Sequence, residues 1–218
     1  MAKAKQDGQT RSRRSASSDR WLREHFNDPY VRRAREQGAR SRAIFKLEEI
    51  DQRERLLHPG AVVLDLGAAP GAWSQYARRR VGRGGRVIAS DILPMAPLAG
   101  VEFLQGDVRE EPVLAALTQQ VGSSGVDVLL SDMAPNLSGM AEIDAPRAMY
   151  LAELALELSA AVLKPGGTAL IKVLQGAGFQ ELVALARRRF DRVKFLKPQA
   201  SRSRSRETYL LASGKRMV

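Results

Sequence analysis

Short apolar runs alternate along this chain with longer stretches in which apolar residues recur every three or four positions. The short runs predict β-strands, and the periodic stretches predict helices. Strands are predicted at residues 61–64, 86–91, 101–104, 126–132, 168–173, 193–196 and 208–212, and helices at 74–81, 110–121, 145–163 and 179–189. A Lys-Pro-Gly-Gly sequence at 164–167 is expected to stop the third of these helices.

The order of these elements predicts one fold class. A helix between successive strands implies a parallel sheet with right-handed crossovers. No helix is predicted between the last two strands, so they are expected to pair antiparallel. The pattern therefore predicts an α/β fold with a mostly parallel seven-stranded sheet, an antiparallel last strand and helices on both faces.

The connection between the first strand and the helix at 74–81 has a distinctive spacing. Asp65, Gly67 and Gly71 form Asp-x-Gly-x-x-x-Gly, which differs from the Gly-x-Gly-x-x-Gly pattern of dinucleotide-binding enzymes. Glycines let such a turn bend and let a ligand approach the N–H groups at the start of a helix. The spacing is similar to the cofactor loop of methyltransferases that use S-adenosylmethionine (SAM), although such turns also occur where no ligand binds.

Acids follow four of the predicted strands, at the sheet edge where α/β proteins bind ligands. They are Asp65, Asp91, Asp107 and Asp132. Asp91 lies 20 residues after Gly71, a spacing at which an acid commonly holds ribose hydroxyls. Asp107 could accept a hydrogen bond from an adenine amine. A single acid at a strand end is more often a helix cap, but four of them beside one glycine-rich turn favour a ligand.

The net charge of +11 is divided unevenly along the chain. Residues 1–46 carry +8 and residues 187–218 carry +9, whereas residues 47–186 carry −6. Segregated positive charge indicates a polyanionic partner, with RNA or DNA ahead of a membrane, although a basic surface can also serve solubility alone. Residues 1–20 are expected to form a disordered basic arm, followed by a single domain at 21–218.

The composition excludes several kinds of chemistry. The chain has no cysteine, which excludes disulfides and thiolate catalysis. The two histidines, His25 and His58, are isolated, so we expect no metal site. No apolar run reaches the roughly 18 residues of a membrane-spanning helix. We therefore expect no membrane partner. We also expect a cytoplasmic protein that is a monomer.

Five segments together resemble the FtsJ-type 2′-O-ribose methyltransferases, which have a Rossmann-like SAM-dependent fold. They are residues 41–47, 65–75, 131–136, 172–176 and 203–207, and the likeness extends over 13–212. The resemblance implies a catalytic tetrad at Lys46, Asp132, Lys172 and Glu207, and a SAM site at Gly71, Trp73, Asp91, Asp107 and Asp132. The family commonly has two glycines where this chain has Gly71 and Ala72, a small departure that this position should tolerate.

The chemistry of ribose methylation fits these residue types. A ribose 2′-hydroxyl is a weak nucleophile at neutral pH, so an enzyme must align it with the methyl donor and help to remove its proton. Lys172 could act as a neutral base or as a charged group that stabilises the developing alkoxide, and Asp132 would orient it. Lys46 and Glu207 would position the ribose and the lysine pair, although each alone could be an ordinary solvated charge.

The resemblance also implies a substrate, a uridine 2′-hydroxyl of 23S ribosomal RNA in the assembled 50S large subunit. The RNA would be held by a basic helix around residues 31–46 and by Arg202, Arg204 and Arg206. Two alternatives stay open: a transfer-RNA or messenger-cap ribose methyltransferase of the same fold, and an RNA-binding ribosome assembly factor. The missing Gly-x-Gly-x-x-Gly pattern disfavours a nicotinamide-dependent dehydrogenase.

Overall fold

The computed structural model describes residues 28–136, 138–202 and 205–217, and its elements alternate as the hydrophobic pattern predicts. The helices are α1 (Pro29–Glu36), α2 (Ile44–Glu54), α3 (Ala72–Val81), α4 (Glu111–Val121), α5 (Ala141–Val162) and α6 (Phe179–Arg189). The strands are β1 (Val62–Leu66), β2 (Arg86–Asp91), β3 (Val101–Gln105), β4 (Val126–Ser131), β5 (Leu163–Leu174), β6 (Phe190–Leu196) and β7 (Glu207–Lys215).

The seven strands form one sheet in the order β3-β2-β1-β4-β5-β7-β6. All neighbours from β3 to β5 are parallel. A helix crosses over between β1 and β2, between β3 and β4, and between β4 and β5, whereas residues 92–100 join β2 to β3 without a helix. β7 lies antiparallel between β5 and β6. The predicted mostly parallel sheet with an antiparallel last strand is therefore confirmed.

Two hydrophobic clusters cover the two faces of this sheet. Side chains alternate along a strand, so the neighbours Leu170 and Ile171 point to opposite faces. Leu170 belongs to the cluster formed with α2 and α3, and Ile171 to the cluster formed with α4, α5 and α6. The prediction of helices on both faces is confirmed.

One local prediction was wrong, and one strand begins earlier than predicted. The basic helix expected around residues 31–46 is two helices, because α1 ends at Glu36 and α2 begins only at Ile44. Gly38, with φ of 60°, lies in the left-handed region between them, where glycine is favoured. Residues 164–167 do follow the end of α5, but they belong to β5, in which the pairing with β4 shifts register between Val126 and Val128.

Some predictions fall on parts of the chain that the structure does not describe. The arm at residues 1–20, the first seven residues of the predicted domain (21–27), and residues 203 and 204 of the segment 203–207, including Arg204, lie outside the described residues. Among the helices that are described, none is both long and apolar enough to cross a bilayer.

A buried carboxylate fixes α2 against α3. Asp51 of α2 is only 1% exposed. Its Oδ1 accepts the Leu57 N–H at 2.8 Å, and its Oδ2 accepts the Tyr76 hydroxyl at 2.9 Å and Arg80 Nε at 2.8 Å. Burial and the charge of Asp51 raise the pKa of Tyr76, so its phenol remains a donor. The helix that carries Lys46 is thereby held to the helix that follows Gly71.

We predict that Asp51→Ala lowers the free energy of unfolding by about 2–4 kcal/mol, because two buried donors, the Leu57 N–H and the Tyr76 hydroxyl, lose their acceptor. Urea denaturation followed by circular dichroism measures the change. Asp191→Ala is the matched control, because Asp191 is 66% exposed beside Arg216 and such pairs contribute less than about 1 kcal/mol. Equal losses in the two variants would contradict the prediction.

Candidate active site

The strand order reverses between β1 and β4, the position at which open α/β sheets bind ligands. Residues 67–71, which we call the glycine turn, follow β1, and Asp132 follows β4. The Asp132 N–H donates to the Leu66 carbonyl at 3.1 Å, so the two segments begin side by side. The predicted cofactor turn and one predicted catalytic acid are thus brought together by the sheet.

Both ends of the glycine turn are tightly enclosed. A Cβ at Gly67 would lie 2.8 Å from the backbone of Met133, in the segment after β4. Gly71 has φ of 102°, and a Cβ there would lie 2.7 Å from Met95 Sδ and 2.9 Å from Arg40 Nη1. Only glycine meets these conditions without displacing its neighbours. The turn therefore packs closely against Met133 at one end and against Met95 and Arg40 at the other.

Asp91, at the end of β2, links the glycine turn to the β2–β3 loop (92–100). Its Oδ2 accepts the Ala69 N–H and its Oδ1 accepts the Leu93 N–H, each at 2.8 Å. Each carboxylate oxygen has a second lone pair, so Asp91 can still accept from ribose hydroxyls. The apolar side chains of Ile92 and Leu93 beside it are more than half exposed, an arrangement that suits an apolar ligand surface such as a purine ring.

Asp107 follows β3 in a pair with Arg109. Arg109 Nε lies 2.9 Å from both carboxylate oxygens. This hydrogen bonding lowers the pKa of Asp107, although partial burial opposes the change. The carboxylate is therefore ionised and keeps acceptor capacity, and its contact with an adenine amine stays a prediction.

Trp73 lies in the core beneath the site. It is 2% exposed, and its indole N–H donates to the Ala43 carbonyl at 2.9 Å. The ring thus supports the residues that lead into α2. Because the Trp73 ring is buried in the core, only the backbone of Trp73 could contact a cofactor.

Lys172 and Asp132 form a largely buried ion pair. The Lys172 side chain is 9% exposed, and its Nζ lies 2.9 Å from Asp132 Oδ1. Nζ also donates to the backbone carbonyl of Asp132 at 2.7 Å. A lysine in such surroundings needs these partners, because an unpaired charge away from water is strongly unfavourable. The lysine on β5 and the acid after β4 were both predicted to be in the site, and the fold brings them together.

Lys46 and Glu207 form a second pair beside the first, with Nζ and Oε2 3.1 Å apart. Lys46 lies in the first turn of α2, where the helix dipole disfavours a cation, so Glu207 offsets an unfavourable position. Burial opposes ionisation of Glu207, but the charges of Lys46 and Lys172 together lower its pKa. All four members of the predicted tetrad therefore belong to one electrostatic cluster, which we call the lysine–carboxylate cluster.

Tyr209 joins the two pairs, although it was not predicted from the sequence. Its hydroxyl donates to Asp132 Oδ1 at 2.7 Å, and Lys46 Nζ lies 5.9 Å from its ring centre. Burial and the charge of Asp132 raise the pKa of Tyr209 well above its usual range, so it stays protonated. In the β5–β7 pairing, Lys172 lies directly opposite Tyr209. The sequence pattern that could have pointed to Tyr209 is the alternation of side chains along a strand. Glu207 and Tyr209 are two residues apart and therefore share a face.

Asp65 differs from the other strand-end acids because it is turned into the protein. It is fully buried, and Ser74 Oγ donates to its Oδ2 at 2.6 Å. Its Oδ1 has no hydrogen-bond partner among the described residues. Desolvation, opposed by the Ser74 hydrogen bond and assisted by the charges of Asp132 and Asp91, raises the pKa of Asp65 to about 7. It supports the glycine turn from behind and does not face a ligand.

The described parts of the two basic ends meet beside the lysine–carboxylate cluster. Arg42 donates both to the carboxylate of Asp28 and to the carbonyl of Ala200. A groove of about 470 Å³ opens between them, lined by Ser41, Arg42, Ala43, Lys46, Arg202, Ser205 and Glu207. The groove that borders the cluster is therefore lined by Arg42 and by Arg202, which was predicted to contact RNA, and both arginines lie near the Asp28 carboxylate.

Comparison with known proteins supports the resemblance found in the sequence. Residues 39–215 match the model of a family described as FtsJ-like methyltransferase. A crystal structure from Plasmodium falciparum, provisionally described as a ribosomal RNA methyltransferase, superposes with a TM-score of 0.72 at 28% sequence identity. The match covers 81% of this chain and 98% of that one.

The buried position of Asp65 predicts an effect of pH on stability. Its pKa is about 7 in the folded state and about 3.9 in an unfolded chain. Between these values the folded state holds a proton that the unfolded state has released, so the contribution of Asp65 to stability falls as pH rises from about 4 to 7. Above pH 7 it levels off.

Asp65→Asn removes this titration. We expect wild-type stability to fall relative to the variant by about 2–3 kcal/mol between pH 5 and pH 7.5, measured by urea denaturation at each pH. A difference between the two proteins that does not change with pH would show that Asp65 titrates normally.

Proposed function

Because this chain belongs to the FtsJ-like methyltransferase family, we propose that it transfers a methyl group from SAM to a ribose 2′-hydroxyl of RNA. The observation that carries the proposal is the lysine–carboxylate cluster beside the glycine turn. It offers a lysine held in fixed geometry next to the place where a cofactor would bind. Alignment and help with proton removal are what methylation of a hydroxyl requires.

The residues around the glycine turn fit a cofactor that contains a nucleoside. Gly71 takes the left-handed backbone conformation that leads the turn into α3, Asp91 offers oxygens to ribose hydroxyls, and Asp107 offers one to an adenine amine. When bound, SAM would supply a methyl group carried on a sulfonium. The 2′-oxygen takes this methyl group as it loses its proton. The described residues therefore supply both recognition of adenosine and access to the reacting groups.

Lys172 acts on the 2′-oxygen in this proposal. Besides its bond to carbon, Nζ has three tetrahedral directions, each of which holds a hydrogen or a lone pair. Asp132 takes up two of them, one with Oδ1 and one with its backbone carbonyl. The third direction is left for the substrate. In the ammonium form it carries a proton that stabilises the developing alkoxide, and in the neutral amine it carries the lone pair that takes the hydroxyl proton.

The other members of the cluster hold this arrangement. Tyr209 donates to the same Asp132 oxygen that faces Lys172, so it limits rotation of the carboxylate. Glu207 holds Lys46 in the lining of the groove, where the lysine would contact the ribose. Lys172 and Lys46 are thus the proposed catalytic residues, Asp132 also borders the cofactor, and Glu207 and Tyr209 position them.

We propose further that the substrate is a uridine of 23S ribosomal RNA, modified in the assembled large subunit in the cytoplasm. Three observations support RNA: the groove lined by Arg42 and Arg202, the charge of the chain ends, and the similarity to a protein provisionally described as a ribosomal RNA methyltransferase. Aromatic residues make up only 6% of the chain, which limits reading of bases by stacking. The protein would therefore recognise a folded RNA by its shape and charge. An assembled particle presents such a fold better than a bare transcript does.

We predict that Lys172→Ala lowers the single-turnover rate of methyl transfer by at least about a hundredfold, as expected for loss of a group that handles the proton. SAM affinity should stay within about threefold, because the lysine contacts the hydroxyl and not the adenosine. Asp91→Ala is the contrasting variant, and its SAM affinity should fall roughly ten- to a hundredfold through loss of charged hydrogen bonds. Calorimetry with SAM and transfer assays with saturating RNA separate the two effects. A near-normal rate in Lys172→Ala would refute its role.

The substrate proposal predicts a clear preference between RNAs. Large subunits isolated from cells without this protein should be methylated faster than naked 23S transcript, and free transfer RNA should be a poor acceptor. Mapping of 2′-O-methyl positions after reaction with labelled SAM identifies the site in each case. Efficient modification of free transfer RNA together with no activity on subunits would move the assignment to the transfer-RNA alternative. Binding to subunits without methylation would favour an assembly factor.

A further inference from the structure

Arg40 ties together the two loops that border the proposed cofactor site. Its Nη1 donates to the carbonyl of Pro70 in the glycine turn at 3.0 Å and to the carbonyl of Ala96 at 2.6 Å. Its Nη2 donates to the carbonyl of Pro97 at 2.6 Å. Ala96 and Pro97 belong to the β2–β3 loop, which contains no helix or strand of its own. One guanidinium group therefore spans both loops through three backbone carbonyls.

The backbone around Arg40 is fixed as firmly as its side chain. The Arg40 N–H donates to Gln75 Oε1 at 3.1 Å, and Gln75 Nε2 donates back to the carbonyl of Gly38 at 2.9 Å. Gln75 lies on α3, directly after the glycine turn. The guanidinium also packs on Gly71, where a Cβ would lie 2.9 Å from Nη1. These contacts hold the arginine over the glycine turn from two directions.

We propose that Arg40 is a positioning residue for the cofactor, which sets the glycine turn and the β2–β3 loop at the spacing that SAM binding requires. The inference rests on the proposed function, because it takes SAM as the ligand between these loops. Asp91 joins the same two loops through the N–H groups of Ala69 and Leu93. Arg40 joins the same loops through their carbonyls. Asp91 and Arg40, which have opposite charges, thus fix the separation of the two loops together.

The placement of Arg40 is not the one that its sequence context favours. It lies in the basic stretch of residues 1–46, where the charge pattern predicts contact with RNA phosphates. Within the described residues, however, its guanidinium faces backbone carbonyls of the cofactor side, whereas Arg42, two residues later, lines the groove. Neighbouring arginines of one segment would thus serve two ligands: Arg40 the cofactor and Arg42 the RNA side.

Arg40→Gln and Arg40→Lys test this division of roles. Both should weaken SAM binding by at least about tenfold, because charged hydrogen bonds to carbonyls are lost. Lysine keeps the charge but cannot reproduce the planar fork that reaches three acceptors. The KM for RNA, and kcat at saturating SAM, should stay within about threefold of wild type. Calorimetry with SAM gives the affinity, and initial rates over both substrates give the split between KM and kcat.

Arg83→Gln is the matched control, because Arg83 is exposed and makes no side-chain hydrogen bond or ion pair within the described residues. This substitution removes the same charge and should change neither the affinity for SAM nor the KM for RNA. If Arg40 contacts RNA phosphate instead, Arg40→Gln raises the KM for RNA, Arg40→Lys largely restores it, and SAM affinity is unchanged in both, which overturns the inference. Failure of the wild-type protein to bind SAM would refute the proposed function itself, before any variant is compared.

Discussion

The burial of Lys172 beside Asp132 is the interaction on which the rest of the site depends. A charged amine this far from water requires a carboxylate, and Asp132 can supply one only because β4 and β5 are parallel neighbours with their ends at the same edge. Two further contacts follow from the same pair. The antiparallel register of β7 places Tyr209 opposite Lys172. Glu207, two residues before Tyr209, lies on the same face of that strand.

The cofactor side is organised by a different means. The glycine turn and the β2–β3 loop are irregular segments, so no ladder of backbone hydrogen bonds fixes their separation. Asp91 and Arg40 provide the missing connections, one as an acceptor of N–H groups and the other as a donor to carbonyls. A site for a flexible nucleoside cofactor gains from such preorganisation, because less binding free energy is spent on ordering loops.

The sequence predicted those features that depend on local pattern. The strand–helix alternation and the sheet class follow from hydrophobic periodicity. The pairing of Lys172 with Asp132 was implied by the resemblance to the FtsJ-type family. Arg40 and Tyr209 could not be found in this way, because their partners lie at least 30 residues away and depend on loop paths and strand register. The direction of Asp65 was likewise hidden, since an acid at a strand end can point toward a ligand or into the core. The break between α1 and α2 had one local sign, Gly38, within an otherwise continuous basic stretch.

The charge balance of the lysine–carboxylate cluster limits what can enter it. Two lysines face two carboxylates, and Tyr209 remains neutral because its pKa is raised. Under the proposed function, a neutral hydroxyl could join this set without a counterion, and with Lys172 in its ammonium form the charge that meets a developing alkoxide would already be in place. A phosphate at the same point would bring permanent negative charge against Asp132 and Glu207. The arginines of the adjoining groove are better suited to phosphate. Under the proposed function, the two parts of a ribose–phosphate backbone would be separated, with phosphates along the groove and a hydroxyl at the lysines.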